Sequence, residues 1–529
     1  MLEKVVTLPQ NGSVGVIGTG ISSLFFAYFL NRKRPDLRIT LLEKNKQERV
    51  GGWIYTKHIT DKVILEKGPR TLRGKNIGTA LIINSLLKMN PDIKNEIMFV
   101  DKASEANKKF LMDYKNPKTL VQMPPTDLKL FYRFMKSGLS DGILKSLIHD
   151  LFSNIKSHKE ETIQEFMTRR FGNETLVNNV ISALFFGIYA TDVKELSIDY
   201  CLPSLSKLEK EHGGIIKGIL KNKSINNDDQ ILEKFAEGLD IDLHFFNTVA
   251  CQLKELPLIG FKKGMSTMPD TVKEYLLKQE NVTIKYAYDV KKAIISRNDQ
   301  DQDKKITIND ELIFDHVNMS TIPQDLIINH SKLNSYLQRL GTGTNVLLIN
   351  IYHPSKDLIK NSLKSFGFLV PKSNHSKVLG VIFDSVIETN FQNMYPPANI
   401  SKVVNKDYTK MTMMVSCDGL EKNKIDFEHF KKNIIAPTLI NQLEISSEDV
   451  NELFTNSKTI IEFTFANNSI PKYTPGIGFS VDKSKDIRSI LEDDLLYTSN
   501  ISVGGFKFAS GPGMPDVVVQ SFDAAKRLS

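Results

Sequence analysis

The sequence has few cysteines and no long apolar segment. Its 529 residues include three cysteines, at positions 201, 251 and 417. So small a number at such wide spacing excludes a disulfide framework and a cysteine zinc site. No stretch of 18 apolar residues occurs, so we expect no membrane-spanning helix. The ten histidines have no metal-ligand spacing, and we therefore expect no metal and a compartment that is reducing or indifferent to disulfides.

The composition is that of an ordinary globular chain. Hydrophobic residues make up 41% and charged residues 25%, which excludes disorder of the whole chain. A chain of 529 residues is too long for one core and predicts two or three domains. The net charge of +8 permits an anionic lipid, nucleic acid or acidic small molecule as a partner, but many soluble proteins are as basic.

The N-terminal region has the pattern of a dinucleotide-binding unit. A buried strand over 14–18, a helix containing the apolar residues of 24–30 and a strand over 38–43 predict a βαβ unit with a parallel sheet. The glycines at the first turn permit a tight bend and let a pyrophosphate approach the helix N-terminus. This turn contains Gly18, Thr19, Gly20, Ile21, Ser22 and Ser23.

Two further features indicate a flavin dinucleotide. Glu43, followed by Lys44, ends the second strand, where a carboxylate accepts hydrogen bonds from the adenosine ribose and repels a 2′-phosphate. Arg49, Gly51 and Trp53 follow within ten residues. This Arg-x-Gly-Gly pattern resembles the second fingerprint of flavin amine oxidases, in which an arginine faces the pyrophosphate. The ordered set predicts FAD.

Residues 126–215 have helical periodicity and a basic amphipathic stretch. Apolar residues recur at three- and four-residue spacing from Leu144 to Ile155, which predicts one apolar helix face. From Lys129 to Lys159 there are six Lys or Arg residues and two Asp residues. Two interpretations are open. The stretch lies on a membrane surface, or it packs on its own core with a solvated basic face.

Further segments, in order along nearly the whole chain, resemble the protoporphyrinogen oxidase family. The chain is similar to that family in a Gly-Pro-Arg segment, a helical signature, a substrate-sheet signature, a Pro-x-Tyr turn and a closing flavin segment. These segments are Gly68, Pro69, Arg70 and Thr71; Phe186–Asp192; Phe366–Pro371; Ile470–Tyr473; and Gly504–Gly505 with Gly511–Asp516.

The resemblance implies an α/β fold with three parts. These are a discontinuous Rossmann-like FAD-binding domain, a mixed-sheet substrate domain and a helical membrane-binding region. The implied FAD-binding segments are 12–92, 250–325 and 478–529. The implied substrate-domain segments are 93–116, 213–249 and 326–477. The membrane-binding region is 117–212.

The resemblance also assigns site residues. Val290 would contact adenine through its backbone, and a helix N-terminus would face the flavin pyrimidine end. The closing flavin residues would be Gly505, Pro512, Gly513 and Met514. The substrate residues would be Gly187, Phe366, Gly367, Leu369, Ile382 and Met414. Lys109, before Phe110, matches a position that is arginine in plant and animal members. At this position the lysine of this chain would give a substrate propionate a point charge instead of a bidentate fork. The alternative is a solvated lysine with no substrate contact.

The implied activity is the six-electron oxidation of protoporphyrinogen IX to protoporphyrin IX in haem biosynthesis, with dioxygen as acceptor. Because the chemistry lies at flavin N5, we assign no side chain a catalytic role. We expect non-covalent FAD, since Cys417 lies well before the closing flavin segment. The resemblance implies peripheral attachment to the mitochondrial inner membrane and no nucleic-acid partner. A homodimer and a ferrochelatase contact stay open. The alternatives are another FAD oxidase of the amine-oxidase fold and a non-enzymatic, membrane-associated protein.

Overall fold

The fold consists of five sheets and many helices around several apolar cores, as far as the described residues extend. The computed structural model describes residues 7–46, 49–60, 63–153, 160–221, 228–296, 305–323, 325–340, 343–354, 356–395, 407–417, 426–475, 500–509, 511 and 513–528. The expected α/β class with a mixed sheet is confirmed.

The strands include both that the sequence analysis predicts, over 14–18 and 38–43, with ends shifted by at most one residue. In chain order they are β1 (Ser13–Ile17), β2 (Arg38–Leu42), β3 (Thr56–Thr60), β4 (Val63–Glu66), β5 (Ile97–Val100), β6 (Phe110–Met112), β7 (Leu120–Gln122), β8 (Leu258–Phe261), β9 (Val282–Lys285), β10 (Lys292–Ile295), β11 (Ile306–Ile308), β12 (Leu312–Phe314), β13 (His316–Met319), β14 (Ile327–Ile328), β15 (Gly343–His353), β16 (Gly367–Leu369), β17 (Val378–Ile382), β18 (Gln392–Asn393), β19 (Thr409–Ser416), β20 (Ile460–Pro471) and β21 (Ile501–Val503).

The helices are concentrated between the strands of the first sheet and in the region 128–254. In chain order they are α1 (Ile21–Lys33), α2 (Ile77–Met89), α3 (Leu128–Lys136), α4 (Ile143–Phe152), α5 (Ile163–Phe171), α6 (Ser182–Tyr189), α7 (Ile198–Cys201), α8 (Pro203–His212), α9 (Ile215–Lys221), α10 (Asp228–Leu239), α11 (Leu243–Lys254), α12 (Thr267–Leu276), α13 (Ser331–Leu340), α14 (Asp384–Thr389), α15 (Phe427–Phe430), α16 (Ala436–Asn441), α17 (Ser447–Thr455) and α18 (Met514–Lys526). In the described part of the chain, no helix is long and apolar enough to cross a membrane.

A five-stranded parallel sheet contains the N-terminal βαβ unit. Its strand order is β21-β13-β1-β2-β9, and every neighbouring pair is parallel. Helix α1 is buried on almost every side, from Ile21 to Asn31, and packs against α12 and α18. Because parallel strands need their faces covered, this burial is what the apolar run of 24–30 provides. The carboxyl ends of the strands meet at one edge of the sheet.

A seven-stranded sheet forms the second layer. Its order is β20-β15-β19-β17-β16-β6-β7, with one parallel pair, β16 and β6, among antiparallel neighbours. Alternate side chains such as Phe368, Val381 and Met413 enter a core shared with α16 and α17. The intervening residues, which include Leu369 and Met414, lie on the opposite face, near α6.

Two segments that the resemblance assigns to the substrate domain pack on the side of the dinucleotide unit. Residues 228–249, assigned above to the substrate domain, form α10 and the first part of α11, and they pack into the core around α1 and α2. Helix α13, also assigned to the substrate domain, packs against β10, β11 and β13 on the side of the parallel sheet. Their apolar faces are indistinguishable by periodicity from helices of the substrate domain, so the sequence could not assign them.

Candidate active site

A cavity of about 530 Å³ opens at the carboxyl ends of the parallel strands. Its walls are the residues that follow β1, β2, β13 and β21, together with the turn between β9 and β10 and the end of β20. Ligands of open α/β sheets bind outside the carboxyl ends of the strands. Because β20 belongs to the seven-stranded sheet, the cavity lies between the two layers.

The first turn is built to hold a phosphate group. Gly18 has φ +89°, a value that favours glycine, and its N–H donates to the carbonyl of Leu42 at 2.8 Å. A Cβ added to Gly20 would meet no protein atom within 4 Å. Helix α1 begins directly after Gly20 and has no side-chain cap. Its first N–H groups therefore remain for an anion, as the prediction for Gly18–Ser23 requires.

Glu43 lies at the end of β2, where the ribose site was predicted. Its buried carboxylate accepts hydrogen bonds from the N–H of Thr19 at 3.0 Å and from the Thr19 hydroxyl. The other carboxylate oxygen accepts from the N–H of Asn45 at 2.9 Å. Lys44 and Val290 line the same cavity, and Lys44 Nζ lies 3.3 Å from Asp289. These groups present carboxylate and backbone atoms to an adenosine.

The Arg-x-Gly-Gly segment forms a second wall. The N–H of Gly51 donates to the carbonyl of Thr19 at 2.8 Å, which joins this segment to the first turn. Arg49 lies over the Tyr55 ring at 4.7 Å and donates to the carbonyl of Gly52 at 3.0 Å. Arg49, Gly51 and Trp53 all line the cavity. The residues present therefore fit FAD, with a cation and free backbone donors at the pyrophosphate position.

The Gly-Pro-Arg segment reaches the cavity through Pro69. The Arg70 side chain turns away from it, and its Nε donates to the carboxylate of Asp384 at 2.9 Å. The predicted cofactor contact of Arg70 therefore does not involve its guanidinium, which links this segment to α14. Gly68 is required for close packing, because a Cβ there would lie 2.0 Å from the carbonyl oxygen of Trp53. Thr71 is half-buried beside it.

The closing segment contributes Gly505, with φ +85°, and Val517 in the first turn of α18 to the cavity wall. Met514 is buried, and the N–H of Gly513 donates to Asp516 at 3.0 Å. Gly513 and Met514 are thus placed at the start of α18, next to the wall. The predicted contact of Pro512 lies outside the described residues.

The sequence did not single out Lys507, which lies between two aromatic residues of the cavity wall. Burial lowers the pKa of Lys507 to about 8. Asn45, Tyr288 and Ser320 are other wall residues that the motifs did not include. No motif includes Asn45, Tyr288 or Ser320 themselves. The sequence indicated only the strands before them, since each of the three lies within three residues of a strand end.

Three of the predicted substrate residues meet near α6: Gly187, Leu369 and Met414. A Cβ added to Gly187 on α6 would lie 2.8 Å from Leu369 Cδ2, and Met414 packs in an apolar cluster with Leu348 and Ala190. Phe366 and Ile382 are half-buried at the border of the core beneath the sheet. Gly367, at φ +144°, pairs with Ile382. The structure brings Gly187, Leu369 and Met414 together on the α6 side of the sheet, whereas Phe366 and Ile382 pack against the core on its other side. The contact of all of them with a substrate stays a prediction.

Lys109 lies one residue before β6, whose neighbour is β16. Its side chain keeps exposed surface, yet the protein surrounds it closely enough that desolvation lowers its pKa. The positive charge of Arg73 lowers the pKa of Lys109 further. Arg73, which had no predicted role, lies two residues after the Gly-Pro-Arg segment.

Buried polar groups connect the cofactor segment with the floor of the substrate sheet. Lys67 donates to Asn350 at 2.8 Å, and Asn350 donates to the hydroxyl of Thr412 at 2.8 Å. The Thr412 hydroxyl donates to Asp384 at 2.7 Å. Burial raises the pKa of nearby Glu66 to about 7. This network fixes the Gly-Pro-Arg segment against the seven-stranded sheet. Among the described residues, no cluster of His, Cys, Asp and Glu could hold a metal.

Comparison with known proteins agrees with the fit of the cavity to FAD. The model of the flavin containing amine oxidoreductase family matches residues 24–398. The protoporphyrinogen oxidase of Saccharomyces cerevisiae is 32% identical over 100% of both chains. That of Schizosaccharomyces pombe is 25% identical over 98% of both. Coproporphyrinogen III oxidase of Staphylococcus aureus is 26% identical over 98% of both.

Solved structures match in fold. A structure from Exiguobacterium sp. 255-15, described as a protoporphyrinogen oxidase, has a TM-score of 0.64 at 18% identity and covers 97% of this chain and 98% of its own. Cyclohexylamine oxidase of Brevibacterium oxydans IH-35A has a TM-score of 0.58 at 11% identity, with 98% of both chains covered. The chain thus belongs to the flavin containing amine oxidoreductases and, within them, to the protoporphyrinogen oxidase family.

Proposed function

We propose that this protein oxidises protoporphyrinogen IX to protoporphyrin IX, with FAD as cofactor and dioxygen as electron acceptor, in haem biosynthesis. The observation that carries the proposal is the position of the FAD cavity between the parallel sheet and the seven-stranded sheet. The predicted apolar substrate residues lie on that second sheet and on α6. Apolar walls with few polar groups suit a flat macrocycle.

The protein's own groups bind, orient and exclude water. The first turn, Glu43 and Arg49 would hold the dinucleotide, and Leu369 and Met414 would form the apolar wall against the macrocycle. Bound FAD supplies two-electron redox chemistry, three rounds of which account for the six electrons. Desolvation around this wall keeps water from the reacting carbons.

A fluorescence assay with the purified, FAD-loaded chain tests the proposal, because protoporphyrin fluoresces and its porphyrinogen does not. We expect fluorescence to rise with one molecule of hydrogen peroxide for each two electrons removed. A parallel assay with coproporphyrinogen III and a panel of amines tests the nearest alternatives. Turnover of an amine alone would contradict the proposal, as would no turnover of any substrate.

We also propose that the chain attaches to a membrane surface through its helical region. Exposed apolar side chains occur on α3, α4, α6 and α9. Helix α4 packs against α9 and α5, α3 connects to α6 through the short helical segments Gly138–Ser140 and Val177–Ile181, and α5 contacts the second of these. The exposed apolar side chains are Leu128, Phe131, Tyr132, Met135, Leu144, Leu147, Ile148, Phe152, Leu184, Ile188, Ile219 and Leu220. Lys129, Arg133 and Lys136 on α3 are exposed among them. A patch of this kind marks an interaction surface, and the basic rim favours anionic lipid.

Flotation with liposomes tests the attachment. We expect the chain to float with anionic vesicles at low salt, and to float less with neutral vesicles or at high salt. Absence of flotation with anionic vesicles at low salt would refute it. The proposed location is the mitochondrial inner membrane, which fractionation of cells that express the tagged chain tests. The ferrochelatase contact and the homodimer stay predictions.

A further inference from the structure

Arg73 and Lys109 lie beside the same residues of the substrate sheet. The guanidinium of Arg73 lies 5.5 Å from the centre of the Phe366 ring. The N–H of Phe366 donates to the carbonyl of Lys108 at 2.9 Å, so the start of β16 runs beside Lys109. Extension of the parallel pairing by one residue puts Lys109 next to Gly367. The two cations thus flank the Phe366–Gly367 corner.

These cations have no acidic partner in the described part of the chain. The ion pairs found there involve many lysines and arginines, but neither Arg73 nor Lys109. Other cations near the sheet are paired: Lys67 with Glu462, and Arg70 with Asp384. The positive charges of Arg73 and Lys109, unpaired and partly desolvated, repel each other unless an anion binds between them.

The two side chains differ in what they offer an anion. A lysine ammonium is a point charge, whereas a guanidinium presents parallel N–H donors that match a carboxylate. Stacking on an aromatic face, as Arg73 does on Phe366, holds a guanidinium in place and leaves its edge free for such a contact. Arg73 can therefore provide the bidentate fork that Lys109 lacks.

We propose that Arg73 is the bidentate partner in a carboxylate clamp that holds a propionate of the tetrapyrrole, beside Lys109, whose position the family resemblance already assigns to a propionate. The inference rests on the proposed function, because it takes the bound anion to be a substrate carboxylate. Both residues act by orienting the macrocycle, and neither takes part in electron transfer.

The test compares the affinity of the FAD-loaded protein for protoporphyrin IX with its affinity for the dimethyl ester, which has no free carboxylate. Quenching of porphyrin fluorescence measures both. We expect Arg73→Gln to weaken binding of the acid by about tenfold or more and to leave the ester unchanged, because one charge-assisted bidentate contact is lost. Lys109→Gln should act in the same direction. FAD content should not change in either variant.

Two further variants distinguish the clamp from a structural role. Arg73→Lys keeps the charge but not the fork, so it should lose part of the affinity for the acid and none for the ester. This variant also decides the matter if Arg73→Gln folds poorly. In the double variant the losses should be less than additive, since both residues hold one carboxylate. Arg38→Gln, at an exposed arginine on the far sheet, is the matched control and should bind both probes normally.

Two outcomes would overturn the clamp. They are equal losses for acid and ester in the Arg73 variants, or unchanged affinity for the acid. The proposed function fails separately, if the wild-type protein does not oxidise protoporphyrinogen. Turnover by the wild type together with Arg73 variants that keep their preference for the acid would overturn the clamp alone.

Discussion

Arg170 on α5 and Asp150 on α4 form an ion pair in which neither side chain is accessible to solvent. Arg170 Nε donates to Asp150 Oδ1 at 2.7 Å, and the other carboxylate oxygen accepts from the N–H of Ile216 at 2.8 Å. The pair holds the polar side of α4 against α5 and α9. The apolar side of α4 consequently faces solvent, where Leu144 and Phe152 are 72% and 78% exposed.

Removal of one partner of this pair should destabilise the fold. Arg170→Met would leave the Asp150 carboxylate buried without its counter-charge, and we expect a loss of about 3–5 kcal/mol in the free energy of unfolding. Urea denaturation measures it. The control is Lys207→Met, which removes an exposed pair with Glu211 and should cost about 0.5 kcal/mol or less. Equal losses in the two variants would contradict the assigned role of the buried pair.

The direction in which the apolar face of α4 points could not be predicted from the sequence. The four-residue spacing of Leu144, Ile148 and Phe152 predicts an apolar face, but the same spacing fits a face turned to the core or to solvent. The interpretation of a helix packed on its own core with a solvated basic face is wrong for α4. The deciding contacts come from Arg170, a residue of another helix, which periodicity does not include.

The dinucleotide unit was predictable because its determinants are close together in the sequence. Gly18, Gly20 and Glu43 lie within one βαβ unit, and the structure brings them to one cavity. The Arg70 guanidinium was not predictable in the same way. Its partner Asp384 is 314 residues away, and only the folded chain determines whether such an arginine faces the cavity or a carboxylate.

Glu66 should make stability depend on pH. Burial raises its pKa from 4.5 to about 7, so the folded chain keeps this proton across a window in which the unfolded chain has lost it. Stability from this group is therefore lost as the pH rises from about 4.5 to 7, on the order of 3 kcal/mol in all. Glu66→Gln mimics the protonated form. In the wild type the N–H of Met265 donates to the Glu66 carboxylate at 2.8 Å, and the amide oxygen of a glutamine can still accept this hydrogen bond.

The measurement is the difference in unfolding free energy between Glu66→Gln and wild type at pH 5 and at pH 8. We expect the variant to gain relative to wild type as the pH rises. A difference that stays constant between these two pH values would contradict the raised pKa of Glu66. Because the comparison is between variant and wild type, other titrating groups contribute equally to both.

Gly20→Ala separates cofactor binding from folding. Gly20 has φ −66° and ψ 171°, which alanine adopts without strain, and an added Cβ meets no protein atom within 4 Å. The methyl group would instead occupy the place of the pyrophosphate. We expect normal melting of the FAD-free protein, with FAD content well below that of wild type by absorbance. Normal FAD content would contradict the placement of the pyrophosphate.

Gly51→Ala is the contrasting variant. With φ +96° at Gly51, a Cβ would lie 2.8 Å from the carbonyl oxygen of Ile54, so this change should lower both FAD content and the stability of the FAD-free protein.

Non-covalent FAD is a separate prediction. In the wild type, acid precipitation should leave FAD in the supernatant. None of the three cysteines, all of which are described, forms a disulfide, and none of them lines the cavity. A yellow pellet would contradict non-covalent binding.

The exposed side of α4 provides the last prediction, on the proposed membrane surface. Replacement of Leu144, Ile148 and Phe152 by serine should weaken flotation with anionic liposomes by roughly a hundredfold or more, because each side chain loses about 1 kcal/mol or more of apolar transfer free energy. The free energy of unfolding should change little, since these side chains are largely exposed in the fold. Co-sedimentation over a range of lipid concentrations measures the partition.

The matched control places three serines on other exposed apolar residues, at Leu277, Ile313 and Ile327. These lie on or beside the parallel sheet and its neighbour, away from the helical region, so the partition should stay that of wild type. If both triple variants bind liposomes equally well, the α4 surface is not the attachment site. If the α4 variant alone loses binding and keeps its FAD and its stability, the loss lies at the surface, because a folding defect would also release the cofactor. High salt screens only the charge interaction. If high salt alone removes as much liposome binding from the wild type as the α4 substitutions do, the attraction comes from the basic rim and not from the apolar side chains.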